Sequence, residues 1–545
     1  MSNEAPQNLV NVQIDGVWHQ FPKGTRVIEA CSQAGKYVPR YCYHPRLSAP
    51  GNCRMCMVQL GMPKMGPDRK PELGSDGKPI HNWIPRTNIS CAQDVSEGLA
   101  VRTDSDIVKE TREGILEFLL INHPLDCPIC DQAGECRLQE FSYDYGQAKS
   151  RFIEQKVKKP KRVEIGPRVT LDAERCILCT RCVRFMREVA KDDVIGIVNR
   201  GSYNEIAVYP DRKLDSNYSL NTVDLCPVGA LTSSDFRFKM RTWFLKETKS
   251  ICTSCATGCN TVIGARENVV YRQTPRENND VNQSWMCDHG RLDFHYLQSA
   301  DRLLEPVVKG APEADWKAAL ASAAKALKAL KPEAIALIAS GRLTNEELFL
   351  ATRLLKTLGN PIHDIIPHTA KGDDLLLAAD RNPNTAGAKL LGLSAAEPGS
   401  ALASIASGIR GGRIKALIVL GEDATDAGLI EADLNKLQTL IVTSLLPNRT
   451  TGFASHVMPA AGFTEKRGSM INKTGRLQRL NRAVAAPGIA RDDWEILAGL
   501  IEALTESASG FTTIEEVFKA MSAEVPALAG LSLSKIGDLG VQLSL

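Results

Sequence analysis

The chain has 545 residues, more than one typical domain, so several domains are expected. Its 43% hydrophobic and 24% charged residues are ordinary for a soluble globular protein, and a net charge of +3 gives no support for nucleic-acid binding through a basic surface. The opening MSNEAPQNLV lacks a basic segment followed by an apolar core, so no secretory signal is expected. No run approaches the roughly 18 apolar residues of a membrane span. The Ala/Leu-rich stretch from Trp316 to Ser340 is broken by lysines and by Lys331-Pro332. A membrane role would therefore have to come through partner subunits.

The 16 cysteines all fall between Cys31 and Cys287. Without an export signal a reducing compartment is expected, where metal binding explains cysteines better than disulfides do. The cysteine distribution divides the chain into a metal-loaded front and a metal-poor rear.

In chain order, VNVQI and WHQF read as short strands joined by Asp15-Gly16, a hairpin signal, and Thr25 to Gly35 reads as a short helix. A first ligand set follows: Cys42, Cys53, Cys56 and Cys91. Strands, helix and a Cys-bearing Gly/Pro-rich loop in this order resemble a plant-type [2Fe–2S] ferredoxin, although C-x10-C-x2-C departs from the plant C-x4-C-x2-C. Gly51 eases the turn that aims backbone N–H groups at the sulfurs. Zinc is the plainer alternative for this set taken alone. Cys31 also precedes the C-x2-C pair, but Val27, Ala30, Cys31 and Ala34 recur along one helical face, which suits a small core residue. Cys42, beyond Pro39, lies in the loop. The stretch Gly61 to Pro85 reads as a surface loop or partner contact interrupting this domain.

The segment DIVKETREGILEFLLINHP reads as a helix with Ile115, Phe118 and Leu119 on one face, stopped at His123-Pro124. His123, Cys127, Cys130 and Cys136 form a second set, compact enough for all four side chains to hold one [4Fe–4S] cluster. A neutral imidazole in place of a thiolate should raise that cluster's potential. KVKKPKRVEIGPR, 156–168, is a basic linker, solvated or touching an acidic partner.

Cys176, Cys179, Cys182 and Cys226, the last followed by Pro227, carry the bacterial-ferredoxin [4Fe–4S] signature. A two-cluster ferredoxin would place a further Cys at Met186 and a second triplet at Ser216, Ser219 and Thr222, so one cluster of two is expected to be retained. Cys252, Cys255, Cys259 and Cys287 form the fourth set. Their C-x2-C-x3-C-x27-C spacing resembles the [4Fe–4S] motif at the front of molybdopterin oxidoreductases, and Cys287 lacks the C-x2-C partner of a zinc ribbon.

After residue 300, DWKAALASAAKALKAL reads as an amphipathic helix, and AIALIAS, KALIVLG and QTLIVTSL as strands. This alternation argues for α/β layers around a mostly parallel sheet. The half has no Cys for molybdenum, is short for a fold gripping two pterin nucleotides, and has no G-x-G-x-x-G at Gly421-Glu422. It is expected to bind neither molybdopterin, flavin nor NAD.

RYCYHPRLSAPGNCRMC, FLLINHPLDCPICDQAGECRLQ, RCILCTRCVRF and DLCPVGALT together resemble the large iron–sulfur (G-type) subunit family of bacterial NADH:quinone oxidoreductase, respiratory complex I. AAGFTEKRGSMINKTGRLQRL resembles that family's molybdopterin-oxidoreductase segment, with Thr474-Gly475-Arg476 in place of Glu-Gly-Arg. The resemblance implies a multidomain α+β and α/β chain. Its expected parts are a β-grasp ferredoxin domain (1–102), a helical [4Fe–4S] domain with one histidine and three cysteine ligands (103–145), a bacterial-ferredoxin-like domain (146–245), a molybdopterin-oxidoreductase-type cluster domain (246–300) and a truncated metal-free scaffold (301–545). It implies one [2Fe–2S] and three [4Fe–4S] clusters on the four sets, no catalytic residue in this chain, and a peripheral place on the cytoplasmic side of a bacterial inner membrane. The implied partners are a flavin-bearing NADH dehydrogenase subunit and other iron–sulfur subunits of the peripheral arm. An iron–sulfur subunit of a soluble NAD-linked hydrogenase or formate dehydrogenase is the alternative.

Overall fold

The structure, a computed structural model, describes residues 8–311, 314–394 and 397–544; the first seven residues of MSNEAPQNLV lie outside it. It divides into two compact units, Met1–Trp243 and Phe244–Leu545. No helix among the described residues is long and apolar enough to cross a membrane.

In the first unit, β1 (Leu9–Ile14) and β2 (Val17–Pro22) form the expected hairpin. Asp15 and Gly16 both take positive φ, +46° and +87°, the left-handed pair that a tight two-residue turn requires. Helix α1 (Val27–Gln33) follows, then β3 (Met57–Pro63), β4 (His81–Ile89) and β5 (Ala100–Arg102), giving a sheet of order β2-β1-β5-β3-β4. Val27, Ile28, Ala30 and Cys31 of α1 pack against Val12, Ile14, Val58 and Val101 of this sheet.

Only the ends of the stretch Gly61 to Pro85 are strand: Gly61 pairs with Trp83 and Pro63 with His81, and residues 64–80 between them are two tight turns, closed by the bridges Met65–Pro71 and Leu73–Pro79. Pro85 is tolerated because β4 is an edge strand, where a missing N–H costs no ladder bond.

Helix α2 (Asp106–Leu120) forms as expected, with Ile115 and Leu119 packed against the apolar cluster of this unit. Its buried face runs through Val108, Arg112 and Leu116, while Phe118 is 79% exposed. Arg112 takes the central place because its guanidinium donates to the Met57 carbonyl at 3.0 Å while its stem lies in the core. Helices α3 (Arg137–Tyr145) and α4 (Arg181–Glu188) complete the framework around the second and third cysteine sets.

The second unit opens with an antiparallel sheet of β6 (Lys246–Ile251), β7 (Asn260–Arg266) and β8 (Val269–Pro275). The expected helix forms as α5 (Trp316–Lys328), capped by the Asp315 carboxylate, which accepts from Ala318 N. The α/β part then runs β9 (Ile335–Ser340), α6 (Asn345–Thr357), β10 (Ile362–Ile366), α7 (Leu402–Arg410), β11 (Ala416–Leu420), α8 (Glu431–Leu434), β12 (Thr439–Ser444) and β13 (His456–Pro459). Strands β9 to β13 are parallel in the order β10-β9-β11-β12-β13, closed by antiparallel Val307–Val308.

The strands are buried on both faces. Leu337, Ile418 and Ile441 face α5, α6, α9 (Asp493–Thr505) and α10 (Ile514–Glu524). Ala336, Leu417 and Leu440 face α7 and α8. This is the doubly wound arrangement anticipated from the alternating pattern.

The segment AAGFTEKRGSM carries buried charge. Arg302 grips Glu465 with two hydrogen bonds of 2.8 and 2.7 Å, both side chains being 4% exposed. Lys466 reaches Glu347 at 2.9 Å and Asp493 at 3.3 Å. Such pairs contribute little net stability, but losing one member strands a buried charge. Glu465→Ala is expected to destabilise the second unit by about 3–5 kcal/mol, read from denaturant unfolding of the cluster-loaded chain. Adding Arg302→Met should recover part of that loss.

Candidate functional site: four cysteine sets

None of the sixteen cysteines is in a disulfide. In the first set, Cys42 sits past Pro39, Cys53 and Cys56 in the loop before β3, and Cys91 just after β4. Gly51 (φ +64°) and Arg54 (φ +63°) flank Cys53 in the left-handed region, and Cys42 N donates to Cys53 Sγ at 3.4 Å. The thiols of Cys42 and Cys53, Cys42 and Cys91, and Cys56 and Cys91 lie within hydrogen-bonding reach. Contacts from Cys53 and Cys91 hold the Cys42 thiol far below its usual range, and the same contacts with burial push Cys53 and Cys91 up. Cys31 is fully buried in α1, where burial and then the charge of Asp15 raise its thiol to about 12.

In the second set, Cys127, Cys130 and Cys136 lie close enough to act on one another electrostatically. Cys127 is exposed and the other two are buried. His123 is half-buried, and its Nδ1 has no hydrogen-bond partner among the described residues. Burial, then the charges of Arg175 and Lys156, lowers its pKa to about 4, so the imidazole is neutral and able to act as a ligand. Arg175 is a charge neighbour of both His123 and Cys130.

In the third set, Cys176, Cys179, Cys182 and Cys226 line one small cavity with Leu171, Ile206, Val228 and Leu231. Leu178 (φ +53°) and Thr180 (φ +61°) alternate with the ligand positions, and Leu178 N donates to Cys176 Sγ at 3.4 Å. Burial raises Cys176 to about 12 and Cys179 and Cys226 to about 11, and pushes Cys182 well up. Where a second ferredoxin cluster would need ligands, Met186, Ser219 and Thr222 are fully buried, and Thr222 Oγ1 donates to the Ser219 carbonyl at 2.7 Å.

In the fourth set, Cys252 follows β6 and Cys259 precedes β7, joined by Cys252 N donating to Cys259 O at 2.8 Å. Cys287 caps the short helix Asp288–Leu292, accepting from Gly290 N at 3.4 Å. Burial raises Cys252, Cys259 and Cys287, the last to about 11, and the other thiols of the set push in the same direction.

These surroundings fit iron–sulfur clusters. Buried thiols crowded together resist ionising unaided, and a bound cation removes that penalty. Backbone N–H groups already point at sulfurs in three of the sets. Glycines leave room against the ligands: a Cβ on Gly290 would stand 2.8 Å from Cys252 Sγ, and one on Gly229 2.3 Å from Cys130 Sγ.

Tertiary structure brings the first three sets together, which spacing could not show. Cys42, Cys53, Cys136, Cys176, Cys179 and Cys226 belong to one apolar cluster with Tyr41, Leu138 and Phe141. The third set touches both of the others. On one side Arg184 Nη2 donates to Cys42 O at 2.6 Å and Cys179 O at 3.3 Å, and Asn52 Nδ2 to Leu178 O at 3.0 Å. On the other, Pro227 O accepts from Arg137 N at 3.1 Å, beside Gly229 against Cys130. Arg184 and Gly229 had no sequence signal apart from adjacency to ligands.

Comparison with known proteins follows the same order. Residues 7–106 match a 2Fe-2S iron-sulfur cluster binding domain, 112–151 an NADH-ubiquinone oxidoreductase-G iron-sulfur binding region, and 166–232 the ferredoxin-like domain of NADH-quinone oxidoreductase subunit 3. Residues 245–295 match an NDSU1/NuoG-like 4Fe-4S domain and 376–503 molybdopterin oxidoreductase. The G subunit of NADH-quinone oxidoreductase from Rickettsia felis is 40% identical over 65% of this chain and 50% of its own length. The mitochondrial NADH dehydrogenase [ubiquinone] iron-sulfur protein 1 of Solanum tuberosum is 42% identical (65% and 46%), and NADH-quinone oxidoreductase subunit 3 of Thermus thermophilus 38% identical (66% and 48%). The chain spans about half the length of these curated relatives. A solved NAD+-reducing [NiFe]-hydrogenase is 28% identical with a TM-score of 0.36, covering 43% of this chain and 91% of its own.

The exclusion of Cys31 is testable. Cys31→Ala should retain the [2Fe–2S] electron paramagnetic resonance signal with a modest loss of stability, whereas Cys91→Ser should disturb or abolish it. The reverse outcome in folded proteins would overturn the ligand set.

Proposed function

We propose that this chain, which resembles the large iron–sulfur subunit of bacterial NADH:quinone oxidoreductase domain by domain, is an electron-transfer subunit of the peripheral arm of that enzyme. It would carry electrons from the flavin of a partner subunit towards quinone, on the cytoplasmic side of a bacterial inner membrane. The observation that carries this reading is the common apolar cluster joining cysteines of the first three sets. Sites meant only to staple separate domains have no need to share a core. The fourth set, buried with Ala256 and Ala378 in the other unit, suits a structural role.

The ligand assignment is four per cluster. Cys42, Cys53, Cys56 and Cys91 would hold [2Fe–2S], and His123, Cys127, Cys130 and Cys136 a [4Fe–4S] cluster. Cys176, Cys179, Cys182 and Cys226 would hold a second, and Cys252, Cys255, Cys259 and Cys287 a third. When bound, the clusters supply one-electron redox chemistry. The protein's own part is to hold the sulfurs in register, keep water off the buried ones, and donate N–H groups that offset negative charge. We assign residues 1–102, 103–145, 146–245 and 246–300 to the four cluster domains and 301–545 to a scaffold without molybdopterin.

The relevant experiment is anaerobic purification of the complex from its source by a tag on this chain. A flavin-bearing NADH dehydrogenase subunit and membrane subunits should travel with it; a hydrogenase or formate dehydrogenase partner would replace this reading with the alternative. The purified chain alone should not reduce an artificial acceptor with NADH, and turnover without added subunits would count against a pure relay.

His123→Cys should keep a [4Fe–4S] cluster at a lower potential, because a thiolate adds negative charge that neutral imidazole lacks and so disfavours reduction. A redox titration followed by electron paramagnetic resonance reads this. An unchanged or raised midpoint would remove His123 from the ligand set.

A further inference from the structure

The doubly wound sheet has one point where its winding reverses. From β9 the chain passes through α6, on one face, to β10. From β11 it passes through Ala424 to α8, on the other face. Because β9 and β11 are neighbours, their following loops diverge and leave a crevice at the carboxyl ends of the strands, the position where open α/β sheets bind ligands. The relay proposed above makes no use of this crevice.

The residues at its mouth are a metal-ligating set. Glu422, buried just after β11, accepts from Ser340 Oγ at the end of β9 at 2.6 Å. Its other oxygen lies 2.8 Å from Nε2 of His368, which follows β10. Asp426, exposed on the turn after β11, completes a group in which one ligand atom from each of His368, Glu422 and Asp426 lies within 4.8 Å of the others. Three separate strand ends thus converge on one point.

The set is held from behind. Asn448 Nδ2 donates to the Glu422 carbonyl at 3.2 Å, and the backbone of His368 is fixed by Arg381 N at 2.8 Å. Asn382, 1% exposed, packs against Gly341 at the end of β9 and donates through Nδ2 to Ile366 O at the end of β10. Its Oδ1 has no hydrogen-bond partner among the described residues. A buried amide oxygen without a donor, beside the ends of β9 and β10, is a polar group left for a bound species to satisfy. Arg342 is the cation nearby, and its charge acts on His368.

We propose that His368, Glu422 and Asp426 form a divalent-cation site at the reversal point of the C-terminal sheet. One imidazole nitrogen and two carboxylates suit a borderline ion such as Zn2+, with water completing the shell. On binding, the cation takes the place of the hydrogen between His368 Nε2 and Glu422 Oε2: a neutral imidazole then carries its proton on Nδ1, and an imidazolium gives one proton up to solvent. Two negative carboxylates at the mouth disfavour a phosphate there.

The test uses the cluster-loaded full chain, so that iron occupies the cysteine sites, after treatment with a mild chelator. Zn2+ is titrated calorimetrically into wild type, His368→Gln and Asp426→Asn, with iron content and cluster spectra recorded for each. One Zn2+ per chain is expected for wild type. Each variant should bind at least about tenfold more weakly, the scale on which metal sites respond to altered surroundings, with cluster spectra unchanged. Asp426 is exposed, so its variant tests the site without disturbing the core. No saturable binding to wild type, or equal affinity in both variants and wild type, would overturn the proposal.

Discussion

Thiolate crowding is the constraint on which the front unit turns. Four sulfurs held close together out of water cannot all be ionised unless something positive is placed among them. The unit meets this demand at several scales. Left-handed residues such as Leu178 and Thr180 turn backbone N–H groups inward. Positive side chains, Arg175, Arg181 and Arg184, stand near ligands of the first three sets. Burial then withholds water, which would otherwise compete for the cations.

That arrangement explains why the first three sets share a core. Each set alone is too small to bury its own sulfurs, since short loops supply little apolar surface. Packing Tyr41, Leu138, Phe141 and Val228 among the cysteines of all three gives each set walls contributed by its neighbours. Proximity of the three sets and exclusion of solvent are thus products of the same packing.

The rear unit is stabilised differently. Its parallel strands are covered by helices on both faces, and the segment resembling molybdopterin oxidoreductases is used to hold buried ion pairs. Glu465 and Lys466 face inward to Arg302, Glu347 and Asp493. Thr474-Gly475-Arg476 makes the turn before Arg476–Leu480, with Gly475 at φ +78° and Arg476 paired to Asp280 at 2.6 Å. Motif residues are here part of the architecture of the sheet.

The grouping of the cysteines was legible in the order of residues, because residue type and spacing are local properties: a C-x2-C-x2-C run brings three thiols to one loop whatever surrounds it. Equally legible were α5, the strands β9, β11 and β12, and the place of Cys31 on a core face. What depends on distant partners emerged only on folding. Arg112, a charged residue, lies on the inner face of α2 because its guanidinium finds the Met57 carbonyl, while Phe118 lies outside. Residues 61–63 and 81–85 are strand because β3 and β4 pair, which holds residues 64–80 between them as two tight turns. The contacts of the third set with the other two rest on Arg184 and Gly229, and the convergence of His368, Glu422 and Asp426 rests on strand order. Neither can be read from spacing, since sequence distance carries no information about which strand ends meet in space.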